Sequence, residues 1–221
     1  MVNILITRQL LITLLPAILI LIAVATVSIL SQITISSFTR DVTAIANIHP
    51  LSGILSTLGI LLWCVAASIT LFAAFILRSF EQSKTFKFLF ASSLLSIYLM
   101  LDDAFLFHEV LAFKYFGIDE KIVIFTLGIS VFAYLVSFRQ IILKTNYSVL
   151  LLAFIFLTIS VLTDGILDPW FWSLGDWEYF IEDGFKWLGI VSWCSYYVQT
   201  SYLFVINAHR LPNKQNEHTK I

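Results

Sequence analysis

Charge is what this chain has least of. Charged residues make up 12% of it and hydrophobic residues 59%, whereas a soluble domain carries about 25% charged. That shortage excludes an ordinary soluble domain and leaves a polytopic membrane protein, with mean hydropathy +0.93. Neither sign of charge dominates. Thirteen Lys and Arg face fourteen Asp and Glu, a net of −1, so no basic field argues for nucleic acid. Cysteine is scarce too. Cys64 and Cys194 sit in separate apolar runs, in neither a C-x-x-C nor a zinc spacing, and read as small core residues. No H-E-x-x-H, no Glu-x-x-His and no internal repeat is present.

What remains is apolar and periodic. Six runs are long enough for about 30 Å of hydrocarbon: Leu10–Leu30, Ile54–Leu77, Phe86–Leu111, Ile122–Leu143, Val149–Leu167 and Tyr179–Ile206. The fold class expected is all-α, an integral membrane bundle of about six transmembrane helices. One domain covers residues 1–206, and a short polar tail, 207–221, follows it. The first run resembles a signal peptide in having Arg8 before it and Ala23-Val24-Ala25 within it. However, apolar residues continue through Val27, Ile29, Leu30 and Ile33, which favours a retained helix.

Lysine and arginine set the orientation. Arg8, Arg78, Lys84, Lys87, Arg139, Lys144, Arg210, Lys214 and Lys220 fall on one side, against Arg40, Lys114, Lys121 and Lys186 on the other. Both termini are therefore expected in the cytoplasm, in the plasma (inner) membrane. The acidic residues segregate the other way, with only Glu81 and Glu217 on the basic side. An outer loop dense in Trp170, Phe171, Trp172, Trp177, Tyr179 and Phe180 reads as an interfacial aromatic belt.

The charge that does enter the membrane runs is concentrated. Leu101-Asp102-Asp103-Ala104-Phe105-Leu106-Phe107-His108-Glu109 closes the third run, and Glu182-Asp183-Gly184-Phe185-Lys186 opens the sixth. A charged side chain at the bilayer centre costs roughly 2.5–3.5 kcal/mol on insertion scales, so such groups face the protein interior, pair, and mark function. By helix rise both blocks lie in the outer half. Asp164 and Asp168 reach the same level, as does His49 in Asn47-Ile48-His49-Pro50. In a continuous helix Asp102 and Glu109 share a stripe, with Asp103 about 100° away and His108 off it. Gly189, on the Lys186 side, allows close helix approach.

Three chemistries fit these groups. In a structural network, Lys186 bridges Glu182 or Asp183 to Asp102 or Asp103. In a metal site, Asp102, His108, Glu109 and Glu182 hold zinc, manganese or iron, with His49 and Asp164 as accessories, and a metal-bound water serves a membrane hydrolase. In a transporter or proton-coupled carrier, the path inward uses Ser92, Ser93, Ser96, Ser195, Gln199 and Thr200. Partners expected are the lipid bilayer and a membrane-protein partner or second copy, with no nucleic acid.

The two blocks resemble an uncharacterised family of small bacterial polytopic membrane proteins. Its pattern is D-D-x-F-x-x-H-E followed by E-D-x-x-K-x-x-G-I, covering about Ile48 to Tyr197. His49-Pro50-Leu51-Ser52-Gly53 and Trp63 belong to the same likeness. The resemblance implies the membrane fold and no particular activity. A looser analogy is to the membrane metal hydrolases that include alkaline ceramidases. Their paired histidines on a late helix are absent here, for the sixth run contains none.

Overall fold

Each of the six apolar runs forms a helix in the computed structural model. The structure describes the backbone of residues 2–163 and 177–218, with side chains for 14–163 and 177–210. Among the described residues there is no strand. In order, the helices are α1 (Val2–Ser31), α2 (Ser36–Thr39), α3 (Val42–Ala46), α4 (Ile54–Ser79), α5 (Ser83–Phe105), a π-helical turn (Phe107–Leu111), α6 (Ala112–Phe116), α7 (Glu120–Ile142), α8 (Tyr147–Leu162) and α9 (Trp177–His218). Among the described residues, four helices are long and apolar enough to cross a membrane: α1 over Leu14–Ser31, α4, α5 and α7.

The chain divides into two compact units, Met1–Ser52 and Gly53–Ile221. In the first, α1 contains Pro16 and ends where the Ser28 hydroxyl donates to Ile33 O at 2.7 Å. Asn47, at φ 52°, closes α3 in the left-handed region.

In the second unit, α9 packs against α4 and α8, and α4 packs against α5. Glycine sets the spacing. A Cβ on Gly189 would lie 2.6 Å from Leu157 Cγ, and one on Gly59 would lie 3.0 Å from Ile190 Cδ1. The core between the helices is aromatic: Trp63, Phe88, Trp193, Tyr196 and Tyr197 are fully buried. Trp63 meets Trp193 edge-on at 5.5 Å, and Trp193 meets Tyr197 at 5.0 Å.

The stripe of α9 that faces this core is polar-aromatic, with Trp193, Tyr196, Tyr197, Thr200 and Ser201 all buried. A helix shielded from lipid can carry such groups where they are hydrogen-bonded; among the described residues, the buried Ser201 hydroxyl has no partner. Tyr134 of α7 bridges the Ser92 hydroxyl of α5 at 2.7 Å and the Tyr197 hydroxyl at 2.7 Å. Trp193 Nε1 donates to Ser96 Oγ at 3.0 Å, and Tyr196 Oη pairs with Thr145 Oγ1 at 2.9 Å.

Three sequence expectations change. The third run is not one helix to Leu111: α5 stops at Phe105, and Leu106 turns left-handed at φ 51°. Cys194 is buried, but Cys64 lies on the exposed side of α4. The last helix does not end at Ile206, because α9 runs to His218. Once a helix is nucleated, each added residue gains a hydrogen bond at little cost. The fifth run reaches Leu162 as described helix, and its expected end at Leu167 lies outside the described residues.

Candidate functional site: two carboxylates that part company

Asp102 and Asp103 are neighbours near the far end of α5, and the helix points them in different directions. Asp103 looks across the bundle. Its Oδ1 lies 2.7 Å from Lys186 Nζ of α9, and its Oδ2 accepts from Trp63 Nε1 of α4 at 2.8 Å. One carboxylate on α5 therefore ties both other helices. Its side chain is 10% exposed and that of Lys186 34%. Beside the pair is a cavity of about 20 Å³, lined by Leu55, Ser56, Asp103, Asp183, Lys186, Trp187 and Ile190. That is room for about one water molecule.

Asp102 looks back along its own chain. It is 5% exposed and serves the segment that follows. Oδ1 accepts from the His108 backbone N–H at 3.0 Å, and Oδ2 lies 2.6 Å from His108 Nδ1. Its backbone carbonyl accepts from the Leu106 N–H. The carboxylate thus satisfies a donor that the broken helix leaves unpaired. Leucine in the left-handed region costs roughly 1–2 kcal/mol, which the two bonds to Asp102 offset. A carboxylate only accepts, so the hydrogen between the two side chains sits on Nδ1. That bond holds the imidazole above its ordinary pKa of 6.5, against the opposing effect of burial. Nε2 is the outward nitrogen, 3.7 Å from Glu109 Oε1.

The bridge expected from Lys186 therefore forms to Asp103, and Asp183 borders the same cavity. Asp102 stands outside that bridge. The expected Asp102–Glu109 stripe dissolves because the break at Leu106 swings His108 onto Asp102 instead. Among the described residues, no three His, Cys, Asp or Glu side chains gather as a metal-ligand set. This applies to Asp102, His108, Glu109 and Glu182 as placed here. His49 is exposed in the first unit, where its Nδ1 accepts from the Leu51 N–H at 3.2 Å. Asp164 and Asp168, with Trp170, Phe171 and Trp172, lie outside the described residues.

Trp63 is the member of this site that charge-counting misses. A tryptophan deep in an apolar run needs an acceptor for its N–H, and that need was the available signal.

One family model matches residues 11–200, described as a domain of unknown function, DUF8692. The chain belongs to the DUF8692 family. No curated protein and no solved structure matches it significantly. Both charged blocks of this DUF8692 chain, and Trp63, lie inside the matched span.

Proposed function

We propose that this DUF8692 protein is a bacterial-type plasma-membrane protein with six spans and both termini in the cytoplasm. Residues 1–206 form its membrane domain and 207–221 its polar tail. The outer-side polar cluster is a structural lock that holds α4, α5 and α9 in one arrangement and so presents a fixed surface to a membrane-protein partner or a second copy. The observation that carries this reading is Asp103, which bonds Trp63 on one helix and Lys186 on another. The two charged blocks of the sequence, Asp102 to Glu109 and Glu182 to Lys186, supply Asp103 and Lys186, the two charged ends of that lock.

The alternatives draw less support. Metal-dependent hydrolysis needs several ligands converging on one point, and Asp102, Asp103 and His108 are each engaged with a protein partner. Proton coupling needs groups that both give and take a proton. Trp63 and Trp193 lie between Asp103 and the Ser92–Tyr134–Tyr197 hydroxyls, and an indole N–H only donates. This chain of bonds orients side chains and does not relay protons.

Lys186→Met and Asp103→Asn test the lock. Both are expected to lower the yield of folded, monodisperse protein in detergent; full yield and unchanged melting in both variants would overturn it. The topology has its own test. Single cysteines at Trp172 and Lys84, in a background lacking Cys64 and Cys194, are expected to label from outside and inside respectively. The reverse pattern would invert the orientation.

A further inference from the structure

The Asp102–His108 pair plays no part in the lock, and its geometry is of another kind. A buried carboxylate holds Nδ1 of a half-buried imidazole at 2.6 Å, with the His108 side chain 20% exposed. Both the tautomer and the ring orientation are set from behind, which leaves Nε2 as the nitrogen with a lone pair facing outward. This is the base-and-orienter arrangement of general-base catalysis, in which the carboxylate steadies the imidazolium that forms. The backbone is committed to it as well. A left-handed leucine and a π-helical turn, both unusual and both frequent at functional sites, are what bring His108 round to Asp102.

Its depth points to a substrate. α5 has 23 residues, about 35 Å at 1.5 Å per residue, enough to cross about 30 Å of hydrocarbon. His108 begins just past its end, in the boundary layer where glycerolipids carry their acyl ester carbonyls. Around it, Phe105, Leu106, Val110, Phe113 and Phe116 are exposed, an apolar collar suited to acyl chains rather than to a water-soluble substrate.

We propose that Asp102 and His108 form a metal-independent general-base site for hydrolysis of a lipid acyl ester at the membrane boundary. His108 Nε2 takes a proton from water as the water oxygen bonds to the ester carbonyl carbon. The tetrahedral adduct collapses, the carbonyl–alkoxy bond breaks, and the leaving alkoxide takes the proton from Nε2. The products are a fatty acid and an alcohol, with no other reactant needed. His108 is the catalytic residue and Asp102 the positioning residue.

The test uses the full chain reconstituted in phosphatidylcholine vesicles, with released fatty acid measured by mass spectrometry. His108→Asn is the decisive variant, because its amide keeps a donor toward Asp102 but removes Nε2. Wild type is expected to release fatty acid, and His108→Asn to release at least about 100-fold less while still unfolding in one cooperative transition. Diethyl pyrocarbonate is expected to modify His108 and stop release. A folded Asp102→Asn variant is expected to slow both release and that modification, which a merely structural aspartate would not do. No release by wild type, or equal release by His108→Asn, overturns the site and leaves the Asp103 lock standing.

Discussion

The Lys186→Met substitution tests the central geometry because it removes a cation and keeps most of the side chain's length. Breaking a fully buried ion pair costs about 3–5 kcal/mol, while an exposed pair contributes about 0–1 kcal/mol. This pair lies between those limits. Asp103 is 10% exposed but a third of the Lys186 side chain reaches solvent, and Asp103 keeps Trp63 Nε1 at 2.8 Å after the lysine is gone. The expected loss is therefore about 2–3 kcal/mol, between the exposed and the fully buried limits.

Asp103→Asn alone is expected to cost about the same, since it strands Lys186. The double variant is expected to cost little more than either single one. The damage in each single variant is one uncompensated charge, and the second substitution removes it. That difference is a coupling energy of about 1.5–2 kcal/mol, within the span seen for contacting residues. The assay is reversible unfolding in mixed micelles, followed by tryptophan fluorescence with Trp63 as the local probe. If the double loss equals the sum of the singles within about 0.5 kcal/mol, the two groups do not interact and the lock is refuted.

Two further outcomes follow from other contacts. Gly189→Ala places a Cβ 2.6 Å from Leu157 Cγ and 3.1 Å from the Leu157 backbone nitrogen. It is expected to lose about 1–3 kcal/mol by overpacking in the same unfolding assay, whereas Gly59→Ala meets only the flexible end of Ile190 and should lose less. The second outcome concerns pH. The hydrogen bond that His108 donates to Asp102 raises the His108 pKa above 6.5, helped by Asp102 and Glu109 charge and opposed by burial and Lys186. A raised folded value means a stabilisation that is complete below 6.5 and fades as pH climbs through the folded value. Melting temperature is expected to fall over that window in wild type and to stay flat there in His108→Asn; identical slopes would refute the assignment.

Much of this was legible in the residues. The apolar runs are helical wherever they are described, apart from the break in the third, the Asp103–Lys186 bridge is one of the pairings that spacing and topology allow, and Gly189 sits where helices approach. The break at Leu106 was not legible. Nothing local announces it, as there is no glycine or proline between Leu101 and Leu111, and a helical wheel presumes continuity. The turn exists because Asp102 can bond both the backbone and the ring of His108, a tertiary cause that periodicity does not carry. Cys64 misleads for a related reason. In an apolar helix, composition is the same on the lipid side and the core side, so burial has to come from packing.

The hydroxyls and indoles of α9 show the same limit from the other direction. Hydropathy penalises Trp193, Tyr196, Tyr197, Thr200 and Ser201, yet these are among the most buried groups in the chain. Their polarity is tolerated because the packed helices bury them and Ser96 of α5, Tyr134 of α7 and Thr145 after α7 supply partners for Trp193, Tyr197 and Tyr196. The consequence reaches the charged site. Trp193 touches Trp63, and Trp63 donates to Asp103, so the position of α9 at mid-bundle and the position of the charged pair are settled by one set of contacts. Asp102, a single residue away, shares none of them. A helix turn of about 100° per residue is enough to give adjacent carboxylates separate roles: Asp103 holds the bundle together, and Asp102 holds one imidazole at its edge.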